Sequence, residues 1–557
     1  MTTNLLLKPL KPALAATAAA VLPFVAGVAT TAAATAAAVA AAVARPPNIV
    51  VLVADDLGVM DLGCYNPGTF YETPNLDRLA RQGMRFTNGY AACPVCSPTR
   101  YSLMTGRHPV RAAATDWFGA ARSSTFLPAE MNHHMPLEET TLADGLRAAG
   151  YQTFFVGKWH LGEEEKYWPE HRGFDTNIAG WSMGRPTSYF SPYKNPRLTD
   201  GPDGEYITAR LAEESIKQLR AADKSRPFLL YHSFYQVHTP LQAPAALVEK
   251  YKQKARRLGI DDGKDFGPEE QVWPGKKPRE TRIRQSHPVF AAMVECMDTA
   301  AGRILGELDA LGLAENTLVI FISDNGGLST AEGSPTSNMP FRGGKGWVYE
   351  GGIREPFFAR WPGVVPAGTT SDTPVVSTDL LPTVFAAAGV PPPDDRPIDG
   401  CNLVPLLSRG EAPRRDALFW HYPHYSNQGG FPGSAVRMGD WKLIQRLETG
   451  RLHLYNLRND PGERTDLAAA EPERAAQMKT RLHAWFRETG ARFLRQKPGG
   501  PKPWHPDGDA PVATPAKTPA RQMAYGMDFE RLWSWDTLKP AEKKRLAEAA
   551  VRERRVQ

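Results

Sequence analysis

Cysteine is scarce in this chain. Only Cys64, Cys93, Cys96, Cys296 and Cys401 occur among 557 residues, too few to staple a protein of this size as a disulfide scaffold. Cys93 and Cys96 form one C-x-x-C, and no second one follows. That leaves a redox pair or half a zinc site as readings of the motif by itself. There is no glycine period, heptad run or internal repeat, which excludes fibrous and solenoid architectures. Charge of one sign is lacking too. Lys and Arg number 66 against 60 Asp and Glu, for a net +6, and +4 of this sits in the last twenty residues from Leu538. The remaining body is near neutral, which argues against nucleic acid as a partner. With 42% apolar side chains the chain is not disordered throughout.

The first 44 residues read as an export signal. Lys8 and Lys11 precede an Ala/Val/Leu-rich stretch, residues 13–44, that carries no charge, and Ala42-Val43-Ala44 is one of several small-residue cleavage sites. The stretch is long enough to span a bilayer if retained, but alanine is weakly apolar and Pro23 and Gly27 interrupt it. The expectation is a protein exported to the periplasm or secreted, with membrane attachment only if the signal stays.

Asn48–Ala54 is an unbroken, β-branched apolar run, as in a strand buried on both faces. Similar runs recur at 153–156, 227–231 and 317–322, alternating with helical patterns at 73–82, 141–149, 289–313 and 377–388. This alternation predicts an α/β fold with a large, mainly parallel sheet flanked by helices over residues 45–410. Ligands in such sheets collect beyond the carboxyl ends of the strands. Three strands run directly into Asp55-Asp56, Gly157-Lys158-Trp159-His160 and Ser323-Asp324-Asn325, and the fourth leads through Tyr231-His232 to His238. Residues 411–495 read as a smaller C-terminal α+β subdomain: a hairpin or meander over 434–446 and 451–457, turning at Glu448-Thr449-Gly450, then a helix over 475–493. Residues 496–557 read as a Pro/Gly-rich extension with a basic tail.

Cys96-Ser97-Pro98-Thr99-Arg100 opens a helical segment with Cys96 at or just before the N-cap. Free N–H groups and the helix dipole attract an anion there, and a cysteine so placed is expected to have a lowered pKa. The string resembles the C-x-P-x-R segment of the type I sulfatases, whose cysteine is oxidised to Cα-formylglycine. Asp55-Asp56, Gly157-Lys158-Trp159-His160, His238, Ser323-Asp324-Asn325-Gly326-Gly327 and Gly343-Gly344-Lys345 follow the same order as in that family, over most of residues 48–460. The resemblance implies an alkaline-phosphatase-like fold, one divalent metal ion, a formylglycine-generating enzyme as maturation partner and hydrolysis of sulfate esters.

In those roles Asp55, Asp56, Asp324 and Asn325 supply oxygens for a hard cation, which the family makes Ca²⁺. The resemblance implies that Lys158 and Lys345 bind sulfate oxygens and that Arg100 holds the modified residue. His160 and His238 are acid/base candidates, with His238 or Lys345 protonating the leaving alcohol. Hydrated formylglycine would attack sulfur, the alcohol would leave, and the second hydroxyl would expel sulfate and restore the aldehyde. The aromatic stretches 181–193 and 419–425 suit either carbohydrate rings or a subdomain junction, with His421 and His424 as substrate contacts. Glu350-Gly351-Gly352-Ile353-Arg354 reads as a tight turn with a structural ion pair. The leading expectation is a sulfatase for sulfated carbohydrates. The competing ones are a phosphodiesterase or phosphonate hydrolase of the same superfamily, a silent glycan-binding relative, and a thiol-redox protein.

Overall fold

The computed structural model describes residues 46–508 apart from 261–264, 273–276 and 395. The expected signal, 1–44, and the basic tail lie outside the described residues. Eight strands form the large sheet: β1 (Asn48–Ala54), β2 (Met84–Phe86), β3 (Gln152–Gly157), β4 (Thr176–Ile178), β5 (Phe228–Ser233), β6 (Thr317–Ser323), β7 (Phe357–Arg360) and β8 (Thr369–Ser371). Their order is β8-β2-β7-β6-β1-β5-β3-β4. All neighbours are parallel except β7, which runs antiparallel to both β2 and β6.

The central strands are buried along their whole length, as their continuous apolar runs require. Alternate residues enter different cores. Val50, Leu52, Val319 and Phe321 pack with residues of helices α1 (Pro74–Arg81), α4 (Ile207–Ala221) and α6 (Pro288–Ala310). Ile49, Val51, Val53, Ile320 and Ile322 pack with helices α2 (Cys96–Thr105), α3 (Leu142–Ala148) and α7 (Leu380–Ala388). Helix starts follow local chemistry. Pro74 and Pro288 occupy first-turn positions, and Thr141 and Asp144 form a capping box. Helix α4, helix α5 (Ala245–Leu258) and strands β2, β4, β7 and β8 were not among the elements expected from sequence. The strands are three or four residues long, too short for a periodicity to register.

The C-terminal part is a four-stranded antiparallel sheet, β9 (Leu418–Tyr422), β10 (Gly433–Met438), β11 (Trp441–Arg446) and β12 (Leu452–Asn456), covered by helix α8 (Pro472–Thr489). The run 434–446 is two strands, because Gly439 adopts φ 60° and turns the chain between Met438 and Trp441. This sheet shares a core with Tyr90, Val95, Trp347 and Val376, all from before residue 410, so the expected boundary at 410 marks a change of architecture inside one compact unit. Trp420 donates through Nε1 to the Ala91 carbonyl at 2.8 Å, and its ring meets Tyr90 edge-on.

The expected turn at Glu350 is one turn of helix, Glu350–Ile353, and its ion pair reaches further than Arg354. Fully buried Lys442 on β11 lies 3.0 Å from Glu350 and 2.9 Å from Glu463. Breaking a buried pair leaves unpaired charge behind. Lys442→Met is therefore expected to lower the unfolding free energy by about 3–5 kcal/mol. Urea denaturation should show this, and a loss under 1 kcal/mol would contradict it.

Candidate active site

Register between strands assembles the site. Ala54 lies opposite Ser323, and Val53 and Gly157 lie opposite Ser233. Four adjacent parallel strands, β6-β1-β5-β3, thus end at one level and deliver Asp324-Asn325, Asp55-Asp56, Ser233 and Lys158 together. Gly157 has φ 108°, and a Cβ there would stand 1.8 Å from the Ser233 carbonyl oxygen, so this close crossing admits glycine alone. Asp56 and His160 also adopt left-handed backbone (φ 60° and 61°), as side-chain-bearing residues at functional sites sometimes do.

Helix α2 points its N-terminus at these strand ends. Val95 is the N-cap and Cys96 the first helical residue, and all ten residues of the helix are buried. Cys96 Sγ lies 3.7 Å from Asp55 Oδ1 and 4.0 Å from Asp56 Oδ1. Three carboxylates face three cations around it. Lys158 Nζ donates to both oxygens of Asp55 at 2.8 Å, and Lys345 Nζ lies 2.8 Å from Asp56 Oδ1. Arg100 donates through Nε to Asp324 Oδ2 at 2.8 Å, and through Nη1 to Ser233 Oγ at 2.6 Å and the Lys158 carbonyl at 3.1 Å. The guanidinium thus orients Asp324, with Ser233 as a partner the sequence reading did not single out. The available signal was the strand-end position of Ser233.

Burial overrides the helix dipole at Cys96. The thiol is pushed far up from its ordinary pKa by burial, against the lowering by Lys158 and Lys345. The expectation of a lowered pKa is thus corrected. The five cysteines are all free, and Cys93 Sγ faces the Thr115 carbonyl. Burial, then the charges of Lys158 and Arg100, depress His160; burial, then Lys345 and Lys158, depress His238. His238 Nε2 is 3.7 Å from Asp56 Oδ2, while its Nδ1 lies 2.9 Å from the Thr239 carbonyl. That carbonyl can only accept, so it assigns the proton of a neutral ring to Nδ1. His160 Nδ1 is buried with no hydrogen-bond partner.

Asp55, Asp56, Asp324 and Cys96 each offer a ligand atom within 4.8 Å of the others. Asn325 donates through Nδ2 to Asp56 Oδ1 at 2.8 Å, leaving its own buried Oδ1 without a partner. A buried amide oxygen left over beside three carboxylates fits a hard cation with oxygen ligands.

His421 and His424 are not brought to this cluster. His421 is buried, with Nδ1 2.7 Å from Ser434 Oγ and Nε2 2.7 Å from the Arg492 carbonyl, and His424 Nε2 lies 2.8 Å from Thr115 Oγ1. Both are spent on packing, as is the 419–425 stretch, where Phe419 stacks on Trp485. The 181–193 stretch does adjoin the site. The His160 amide donates to the Trp181 carbonyl, and Tyr189 donates through its hydroxyl to the carbonyls of Tyr235 and His238.

The sulfatase family model matches residues 47–390, and that of the C-terminal part of N-sulphoglucosamine sulphohydrolase matches 343–489. N-acetylgalactosamine-6-sulfatase of Sus scrofa is 34% identical over 475 residues, covering 77% of this chain and 83% of the relative. Arylsulfatase A of Homo sapiens is 32% identical over 490 residues, covering 77% and 86%. Among solved structures, Ps i-CgsB in complex with k-i-k-neocarrahexaose superposes with a TM-score of 0.64 at 28% identity, covering 79% of this chain and 93% of that one.

Burial pushes His421 down to about 4 and His424 to about 3. Unfolded imidazole titrates near 6.5, so below that pH the unfolded chain binds protons that the native state refuses. Stability is therefore complete above pH 6.5 and falls as pH drops toward 4. His421→Gln should flatten the fall by up to about 1.4 kcal/mol per pH unit. Urea unfolding at pH 5 and 7 would test this, and an unchanged pH slope would refute it.

Proposed function

The chain belongs to the type I sulfatase family, alkaline-phosphatase-like in fold, and is a sulfuric ester hydrolase; on that premise we propose that it is an exported sulfatase that releases inorganic sulfate from sulfated carbohydrates. The observation that carries the reading is Cys96 at a buried helix N-terminus, within 4.0 Å of two carboxylates that are themselves paired to lysines.

Asp55, Asp56, Asp324 and Asn325 would hold one Ca²⁺, and the unpartnered Asn325 Oδ1 supports that assignment. The ion supplies Lewis-acid polarisation of a sulfate oxygen when bound. Cys96 would be matured to Cα-formylglycine by a formylglycine-generating enzyme. The elevated pKa and burial of the thiol argue against its acting as a nucleophile itself. Lys158, paired to Asp55, and Lys345, paired to Asp56, both act by their charge on position 96, and would share their positive charge with the sulfuryl oxygens as charge moves onto them. Asp324, oriented by Arg100, would take the proton from the attacking hydroxyl. Asp56 holds Lys345 as an ammonium, which suits it to protonate the departing alcohol. His238 presents Nε2 on the same side and His160 its free Nδ1, so both can exchange a proton with substrate or product.

Carbohydrate as substrate is supported by the similarity to N-acetylgalactosamine-6-sulfatase and to the structure of Ps i-CgsB in complex with k-i-k-neocarrahexaose. Export rests on the reading of residues 1–44. Among the described residues no helix is long and apolar enough to cross a membrane.

The peptide bearing Cys96, isolated from active protein, should have lost sulfur and two hydrogens and gained oxygen by mass spectrometry. Cys96→Ala should keep its circular dichroism and lose 4-nitrophenyl sulfate hydrolysis by a factor on the order of 10⁶. Full activity with an intact thiol would overturn the proposal.

A further inference from the structure

One wall of the site contains a carboxylate that the chemistry above does not use. Glu332 is exposed and has φ 54°, a left-handed conformation uncommon for a residue bearing a side chain. Two amides aim its carboxylate: Asn427 Nδ2 donates to Oε1 at 2.8 Å and Gln428 Nε2 at 2.6 Å. Gln428 is itself buried, and its side chain packs on Gly346, next to Lys345. The other oxygen, Oε2, receives only a long 3.4 Å bond from Thr239 Oγ1, beside His238. Among the described residues Glu332 makes no ion pair, although its charge acts on Lys345. Trp117 joins the same wall, donating through Nε1 to Asn427 Oδ1 at 3.3 Å, with its ring partly exposed.

We infer that Glu332, with Trp117 and Asn427, forms a subsite for the sugar ring that carries the scissile sulfate, and that it selects singly sulfated sugars whose neighbouring positions are neutral hydroxyls. The inference rests on the proposed function, because it places the leaving sugar on the side of Lys345 and His238. A fixed carboxylate oxygen with spare capacity accepts a hydroxyl, and an indole face suits the C–H surface of a pyranose. A second sulfate or a uronate at the same place would meet like charge, which costs several-fold in binding even where water screens it. Two amide donors on Oε1 hold the carboxylate in place, so it cannot swing away from such a group.

The test is competitive inhibition of 4-nitrophenyl sulfate hydrolysis by galactose 6-sulfate and by galactose 4,6-disulfate. The native enzyme should bind the monosulfate more tightly. In Glu332→Gln, whose fold is checked by circular dichroism, the ratio of disulfate to monosulfate Ki should fall about tenfold. Trp117→Ala should raise both Ki values together, because stacking does not distinguish charge. An unmoved ratio in Glu332→Gln, or no inhibition of the native enzyme by either sugar, would overturn this inference while leaving sulfatase activity standing. Failure of the native enzyme to hydrolyse 4-nitrophenyl sulfate would instead count against the proposed function itself.

Discussion

Three buried carboxylates, Asp55, Asp56 and Asp324, face three buried cations, Lys158, Lys345 and Arg100, at the ends of adjacent strands. None of these groups is tolerable alone in such a place, since an unpaired buried charge costs several kcal/mol. Together they are charge-balanced, and a divalent cation with an anionic ester can be added without leaving large net charge. The strand register that brings them together is therefore also what makes their burial possible.

The same burial decides the fate of Cys96. A helix N-terminus normally favours a thiolate, yet here every residue of the helix is enclosed and nearby carboxylates oppose the lysines. Position 96 is well placed to address an anion and poorly placed to ionise. A group that reacts without first carrying a thiolate charge suits such a pocket better than a thiol does.

The smaller sheet belongs to the same economy of charge. Lys442 ties β11 to Glu350, and Trp420 and Tyr90 lock β9 against the segment leading into Cys96. His421 and His424, aromatic neighbours and all, serve this junction. From the opposite direction, Gln428 and Asn427 reach the rim of the site and orient Glu332. The C-terminal part thus contributes both support and a boundary to the pocket.

The long apolar runs, the polar residues at their ends and the C-x-P-x-R helix start were legible in the linear chain, because strand burial and helix capping leave local patterns within a few residues. Asp55, Asp56, Asp324, Asn325, Lys158 and His238 could be grouped on that basis, whereas Lys345 entered the group only through the family resemblance. What no local pattern contains is which of them touch. That Arg100 grips Asp324 and Ser233, that each lysine is paired to an aspartate, and that His421 and His424 are interior groups all follow from contacts between residues far apart in sequence. Those contacts are set by the register of parallel strands and by the way the smaller sheet packs on the segment leading into Cys96, and only the folded chain brings them into being.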